Sequence, residues 1–337
     1  MSVNFSVLSP MHRLLFAIPL LPVQGHRFQP TGFPGLGAAT FQTREGASLL
    51  LESAQSMANR LELAIWDNTT NDVISAARGI SHVRVLRGDG KTFLTDTILE
   101  SHRLNSPYLL EESSKRFFNE IKESLGGLET GPINRRKLAD VLLNYDAGSL
   151  LHGVFLAKKD LAGGRLRVAR ALSTFIEADG VRVAPSGGVK NDHVNPSGDT
   201  RSGFGNVPFA RDEFTADKIT FYVNLDLAQI RGYGLGGDVE RLLIATALYK
   251  VRNLLDGNLR LRTACDLRVA TDTITATNLS AFILPTSKDL TDELAQAVAA
   301  CESRMEIRET TFGDELRKAK DPKTADGDEP ENEDVGA

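Results

Sequence analysis

ITFYVNLDLAQIRGYGLGGDVERLLIATALYKVRNLLDGNLRLRTACDLRV, residues 219–269, holds the periodicities that decide the class of fold. Ile219 to Leu227 alternates apolar and polar residues, the pattern of a strand with one buried face. Asp238 to Leu255 repeats its apolar residues at helical spacing and is the clearest amphipathic helix in the chain. Leu259 to Val269 alternates again, which predicts one half-buried strand with Arg260 and Arg262 on a face opposite Leu259 and Leu261.

Between the first strand and the helix, GYGLGG (232–237) spells G-x-G-x-x-G through Gly232, Gly234 and Gly237. A dinucleotide site needs the glycines at the strand end and an acid after a second strand. Here Ala228 to Arg231 intervene and the nearest distal acid, Asp256, sits in the helix–strand turn. The reading that remains is a tight turn whose backbone at Gly232, Gly234 and Gly236 approaches a phosphate beside Arg231. Asp238 competes for the same positive helix end.

Toward the N-terminus, Arg13 to Ile18 reads as a strand ended by Pro19, followed by turns through GHRFQPTGFPGLG (25–37). ASLLLESAQSMANRLELAI (47–65) reads as one helix, with Gln55 and Asn59 on a face away from Leu50, Met57 and Leu61. Ser81 to Leu86 alternates as a strand and closes in the hairpin-like RGDGK. Helices are expected over 111–125, 134–144 and 289–303, and strands over Ser149–Ala157 and Phe282–Leu284. RLRVARALSTFIEA (165–178) suits a strand or a helix. Residues 184–215 lack a long apolar run and are rich in Gly and Pro, an excursion of the kind that is functional or mobile. Such irregular alternation predicts an α+β domain with large insertions, spanning 1–320, rather than a doubly wound sheet. The acidic, proline-containing stretch 321–337 is expected to be a disordered tail.

With 41% hydrophobic and 25% charged residues the chain reads as globular. Its longest apolar runs fall far short of the roughly 20 residues that cross a bilayer. Pro19 interrupts the apolar patch Leu14–Leu21, so no signal peptide is expected. Two cysteines in 337 residues, Cys265 and Cys301, suit a reducing compartment and supply no four-ligand metal site. The expectation is a cytoplasmic protein with no cofactor and no membrane partner.

The net charge of −5 conceals a division. From Asp321 onward there are seven acids and one lysine; residues 1–320 carry 38 basic against 37 acidic residues, a balance of +1. Arginines outnumber lysines 26 to 13, an excess that suits bidentate recognition of oxyanions. Arg165, Arg167 and Arg170 follow two glycines, and whether strand or helix forms there, two of the three converge. Arg260 and Arg262 converge on a strand. Convergent guanidiniums fit the phosphates of a nucleic-acid backbone; ion pairs within a protein interface are the rival reading. The six histidines are scattered, with neither HExxH nor paired cysteines. Asp192, His193 and Asp199 form the one compact acid/His group, the basis for an alternative reading as a metal-dependent endoribonuclease. Turn formation is their ordinary use. A pure protein-binding scaffold is a third reading.

The segments FQPTGFPGLG (28–37), ESAQSMANRLE (52–62), LESHRLNSPY (99–108), LLHGVF (150–155), RLRVARALSTFIEA (165–178), GGVKNDHV (187–194), GNVPFARDEFTA (205–216), LDLAQIRGYGLG (225–236) and LRLRTACDL (259–267) together resemble one family. It is the RAMP-superfamily backbone subunit of the CRISPR type I-G (formerly I-U) Cascade complex. The resemblance implies a modified RRM or ferredoxin-like palm with thumb and finger-like insertions. It implies a non-catalytic RNA-binding subunit that oligomerises along the crRNA spacer and presents its bases to target DNA. Neighbouring copies, a large subunit and a fused cap/processing subunit would be its protein partners. On that basis Gln55, Asn59, Arg60, Arg103, Arg165, Arg167, Arg170, Lys190, Arg211, Arg231, Arg260 and Arg262 are the RNA-contact candidates. Residues 184–215 are the first choice for the thumb and 19–46 the alternative, with Phe204 and Phe209 either wedging a displaced base or anchoring a neighbour.

Overall fold

The computed structural model describes residues 3–313 apart from 34–36, 113, 129–130, 200, 201, 203 and 258. The expected acidic tail lies outside the described residues. In chain order the main elements of the first half are β1 (Arg13–Pro22), β2 (Thr40–Thr43), β3 (Gly46–Glu52), α1 (Ala54–Leu63), β4 (His82–Arg87), β5 (Phe93–Asp96), α2 (Arg116–Ser124) and α3 (Arg135–Tyr145). There follow β6 (Leu172–Asp179), β7 (Arg182–Lys190), β8 (Val207–Thr215), β9 (Lys218–Asp226), α4 (Gly237–Asp256), β10 (Leu259–Arg262), β11 (Cys265–Val269), α5 (Ser287–Cys301) and β12 (Ile307–Phe312).

A seven-stranded sheet runs in the order β10-β11-β1-β9-β6-β3-β2, and each neighbouring pair is antiparallel. Period-two alternation separates its faces. Leu14, Phe16, Ile18 and Leu20 of β1 pair with Leu225, Val223, Phe221 and Ile219 of β9, and all eight are buried. Leu172, Ile176 and Ala178 of β6 extend this inner face, and α1 packs on β6 and against α4. Each fully buried Leu, Ile or Phe contributes roughly 1.5–3 kcal/mol, so this face is the main apolar core. The outer face shows Ala17, Pro19 and Leu21 of β1 exposed. It also carries Phe175 and Tyr222, whose rings stack with centroids 5.0 Å apart. Beside the main sheet, β4 pairs antiparallel with β5 and parallel with β12.

The α+β expectation holds, with local corrections. Residues 47–52 are strand rather than helix: Leu49 and Leu51 are buried in β3 between β2 and β6, and the helix starts only after Ser53, whose hydroxyl accepts the Ser56 N–H at 3.3 Å. β1 continues through Pro19 to Pro22. The Pro19 carbonyl takes the Ala270 N–H, just past the end of β11, so its missing N–H faces a point where the ladder has stopped. Residues 149–157 divide into a helical turn, Gly148–His152, and a strand, Val154–Leu156. They are separated by Gly153, with φ +79° and no room for a Cβ against the Val168 carbonyl. The single strand expected over 259–269 is a hairpin, β10–β11, and 165–178 resolves into strands Leu166–Val168 and β6.

The polar excursion is likewise ordered. β7 and β8 pair in continuous register from Arg182 with Thr215 to Lys190 with Val207, and with no other strand among the described residues. They form an arm that extends the β6–β9 hairpin. The turn into it uses Gly180 (φ +62°), where any side chain would strike the Asp217 carboxylate, which itself binds Arg182 at 2.7 Å.

Candidate nucleic-acid interface

Helix periodicity places Gln55 and Asn59 on one side of α1, with Arg60 next to them. Gln55 Oε1 accepts from Arg170, joining two of the expected RNA contacts. Arg60 donates to the carbonyls of Leu261, at 2.7 Å, and Arg260, at 3.4 Å. Its Nη2 also lies 3.8 Å from the buried Glu52 carboxylate. Arg262 binds the same carboxylate and donates to the Gln29 carbonyl at 3.1 Å. One carboxylate thus sits between two guanidiniums, and Arg262 is committed to an internal ion pair rather than to an open groove. Arg260 is different. Its side chain is exposed and has no partner among the described residues.

The arginine cluster 165–170 also separates. Arg165 braces a loop by donating to the carbonyls of Ala162 (3.2 Å), Leu128 and Gly131 (both 3.1 Å). Arg167 is exposed and pairs across a two-stranded ladder with exposed Phe155. Arg170 is half-buried, and burial followed by the nearby Arg103 charge lowers its pKa.

Arg231 reaches the Met11 carbonyl and lies 3.5 Å from Glu240. Beyond it, Gly232 ends a short helix, Leu227–Gly232, while Gly234 and Gly236 adopt φ of +68° and +97° before α4 begins. Nothing crowds Gly232 or Gly236, so the backbone is approachable, but Asp238 and Glu240 stand in the first turn of α4. The turn therefore combines open backbone with a local negative charge.

Arg103 does not reach the surface. It holds a left-handed backbone (φ +51°) and clamps Glu62 of α1 through Nε at 2.8 Å and Nη2 at 2.6 Å, both residues buried. A buried bidentate pair leaves no guanidinium edge for a phosphate, so Arg103 is a positioning residue of α1. Around it lie Asp146, Lys250 and His152, all buried. Burial pushes Glu62 up to about 7 against the pull of Arg103 and Lys250. It pushes Lys250 down to about 8 despite Glu62 and Asp146.

On the arm, Lys190 and Phe209 are exposed, Phe204 projects from the connecting loop, and Arg211 binds Glu213 at 2.7 Å. The Asp192 carboxylate accepts the N–H groups of Val194, Asn195 and Gly205 at 2.9–3.0 Å. Those bonds, Asn195 first, lower its pKa. It closes the loop, as a turn former does. Among the described residues no three His, Cys, Asp or Glu side chains gather as metal ligands, and no helix is long and apolar enough to cross a membrane.

Two features escaped the sequence reading. The stacked Phe175–Tyr222 pair lies on the outer face, in segments whose alternation was legible only once residues 172–179 are known to be strand. Glu52 looked like a residue inside a helix; its role as the counter-charge of Arg60 and Arg262 depends on the ends of the sheet curling together.

Residues 14–183 match the signature of the family described as CRISPR-associated protein GSU0053. The chain belongs to this CRISPR-associated family. No curated protein matches it. Among solved structures it is similar to a chain of a CRISPR RNA-guided surveillance complex in a pre-nicking state, at 14% identity over 78% of this chain and 76% of that one, with a TM-score of 0.37. It is also similar to Csc2 of Thermofilum pendens, at 11% identity over 90% of this chain and 83% of that one, with a TM-score of 0.34.

Proposed function

We propose that this protein is a non-catalytic backbone subunit of a type I-G Cascade complex, copies of which line up along a guide RNA and hold its sugar-phosphate backbone while the bases pair with target DNA. Family membership supports the CRISPR setting. The strand–helix–strand–strand–helix–strand run β1, α1, β6, β9, α4, β11, with sheet order β11-β1-β9-β6, has the order of a split βαβ motif and supports the reading as a ferredoxin-like palm. The observation that carries the reading is the projecting arm. A two-stranded ribbon is marginal alone, yet this one presents exposed Val183, Val189, Phe204 and Phe209, as a thumb made to be covered in an assembly does. Exposed Arg167 and Arg260 and the Gln55–Arg170 pair supply sequence-independent contacts to phosphate and sugar. The Asp192 carboxylate, which accepts three backbone N–H groups in closing its loop, supports a structural role over that of a metal ligand. Co-expression with a repeat–spacer transcript and the partner subunits tests the proposal: a ribonucleoprotein with several copies per guide is expected, and recovery of RNA-free monomer alone would refute it.

A further inference from the structure

The two-stranded ladder of Val154–Leu156 with Leu166–Val168 turns one face to the core and the other to solvent. Leu156 and Leu166 are paired and buried, and Val154 is buried opposite Val168 at the other end. Between these pairs Phe155 stands directly across from Arg167, and the pleat points both away from the core. Phe155 is 52% exposed, more than any other aromatic residue outside the arm among the described residues. Neither side chain makes a hydrogen bond, ion pair or ring contact among the described residues. Elsewhere a cation and a ring cover each other, as the Arg308 guanidinium does over Tyr145 at 3.8 Å. The loop joining the two strands is held in place. Ala162 keeps a left-handed backbone (φ +49°) while buried, a conformation that persists in a non-glycine residue only where its surroundings enforce it. Arg165 enforces it through the carbonyls of Ala162, Leu128 and Gly131.

We propose that Phe155 and Arg167 form a nucleotide-stacking site, in which a base of single-stranded RNA lies on the Phe155 ring and the adjoining phosphate meets Arg167. This rests on the reading of the protein as RNA-binding and adds to it a contact that phosphate recognition does not supply. Cross-strand Cβ atoms stand about 5 Å apart, so a ring and a guanidinium at these positions reach one nucleotide together. The local charge selects the partner. Residues 158–170 carry five cations against Asp160 alone. Lys158 is engaged by Glu111 at 2.6 Å and Arg165 by the loop. Lys159, Arg167 and Arg170 make no ion pair among the described residues. A surplus of unpaired cations around a bare ring suits a polyanion; the centre of a protein-docking patch is depleted of charge, and of lysine above all. Every base has a π-face, so the site is indifferent to sequence, as phosphate contacts are.

Photocrosslinking and titration test the site on the full chain. Single-stranded RNA carrying 5-iodouridine, irradiated while bound, couples to a stacked aromatic ring. One crosslinked peptide is expected to contain Phe155, to disappear with Phe155→Ala and to return with Phe155→Trp. In titrations with an oligouridylate, Phe155→Ala weakens binding about tenfold and leaves the salt slope unchanged, whereas Arg167→Ala lowers that slope by roughly 0.7. An abasic oligomer of equal length is bound alike by the wild type and Phe155→Ala. Crosslinks confined to other peptides, or wild-type affinity in Phe155→Ala, overturn the site and leave the RNA-binding reading standing. A wild type without affinity for RNA at low salt overturns both. Loss of a partner subunit from Phe155→Ala, with affinity for RNA unchanged, makes the pair a protein contact and also overturns the site.

Discussion

Lys250 Nζ lies 2.9 Å from His152 Nε2, with both side chains buried. The imidazole is held neutral as an acceptor, because burial first and the Lys250 charge next lower its pKa well below the ordinary value. Beside it, Lys250 titrates near 8 in the folded chain against 10.5 when exposed. Between those values the unfolded chain holds a proton that the folded chain has lost, so stability rises with pH across that window. Glu62 behaves oppositely: raised from 4.5 to about 7, it makes stability fall as pH climbs from about 4.5 to 7. These two groups predict a minimum in Tm between about pH 7 and 8. Thermal unfolding at fixed ionic strength should show it, and Lys250→Met should remove the alkaline rise; a rise that persists in the variant would assign it to other groups.

Arg103→Ala should unfold the protein more easily without a distinct RNA phenotype. Removing one partner strands the buried Glu62 carboxylate, at a cost of about 3–5 kcal/mol. Arg103→Met combined with Glu62→Leu should recover most of that loss in urea denaturation. Failure of the double variant to recover would mean that the pair fixes α1 in a way apolar packing cannot.

Arg260 and Arg262, adjacent in pattern, should behave differently. Arg262→Ala removes one charged hydrogen bond to Glu52 and one to the Gln29 carbonyl and should cost ~2 kcal/mol of stability. Arg260→Ala should leave stability within about 0.5 kcal/mol, yet lower the salt slope of single-stranded RNA binding by roughly 0.7, equally for unrelated sequences. An unchanged slope would remove Arg260 from the RNA path.

Asp192→Ala should loosen the loop at the arm tip, read as faster proteolysis between β7 and β8, while RNA incubated with Mg²⁺ or Mn²⁺ stays intact with wild type and variant alike. Cleavage by the wild type that the substitution abolishes would revive the endoribonuclease reading.

How much of this was legible in the sequence depends on where the controlling contact lies. Strand β9, helix α4 and the fold class follow from local periodicity, since each buries one face along its own length. ASLLLE failed because three successive leucines satisfy a helix as well as a strand; only its place between β2 and β6 decides, and that is a long-range contact. The arm failed for the converse reason. Glycines and prolines mask a ribbon that is exposed on both faces and so shows no hydrophobic alternation. Among site residues, type and exposure were legible for Arg260 and Arg167. The partners that withdraw Arg103 and Arg262 lie 41 and 210 residues away, beyond any spacing rule.

Repeated occupancy of one guide by copies of this chain is the decisive expectation. Its most direct measurement is nuclease digestion of the purified ribonucleoprotein, followed by sequencing of the protected RNA. A ladder of protected spacer lengths at a constant step is expected, with the same step for guides of unrelated sequence. A single protected fragment of fixed length, or protection confined to one sequence, would contradict it.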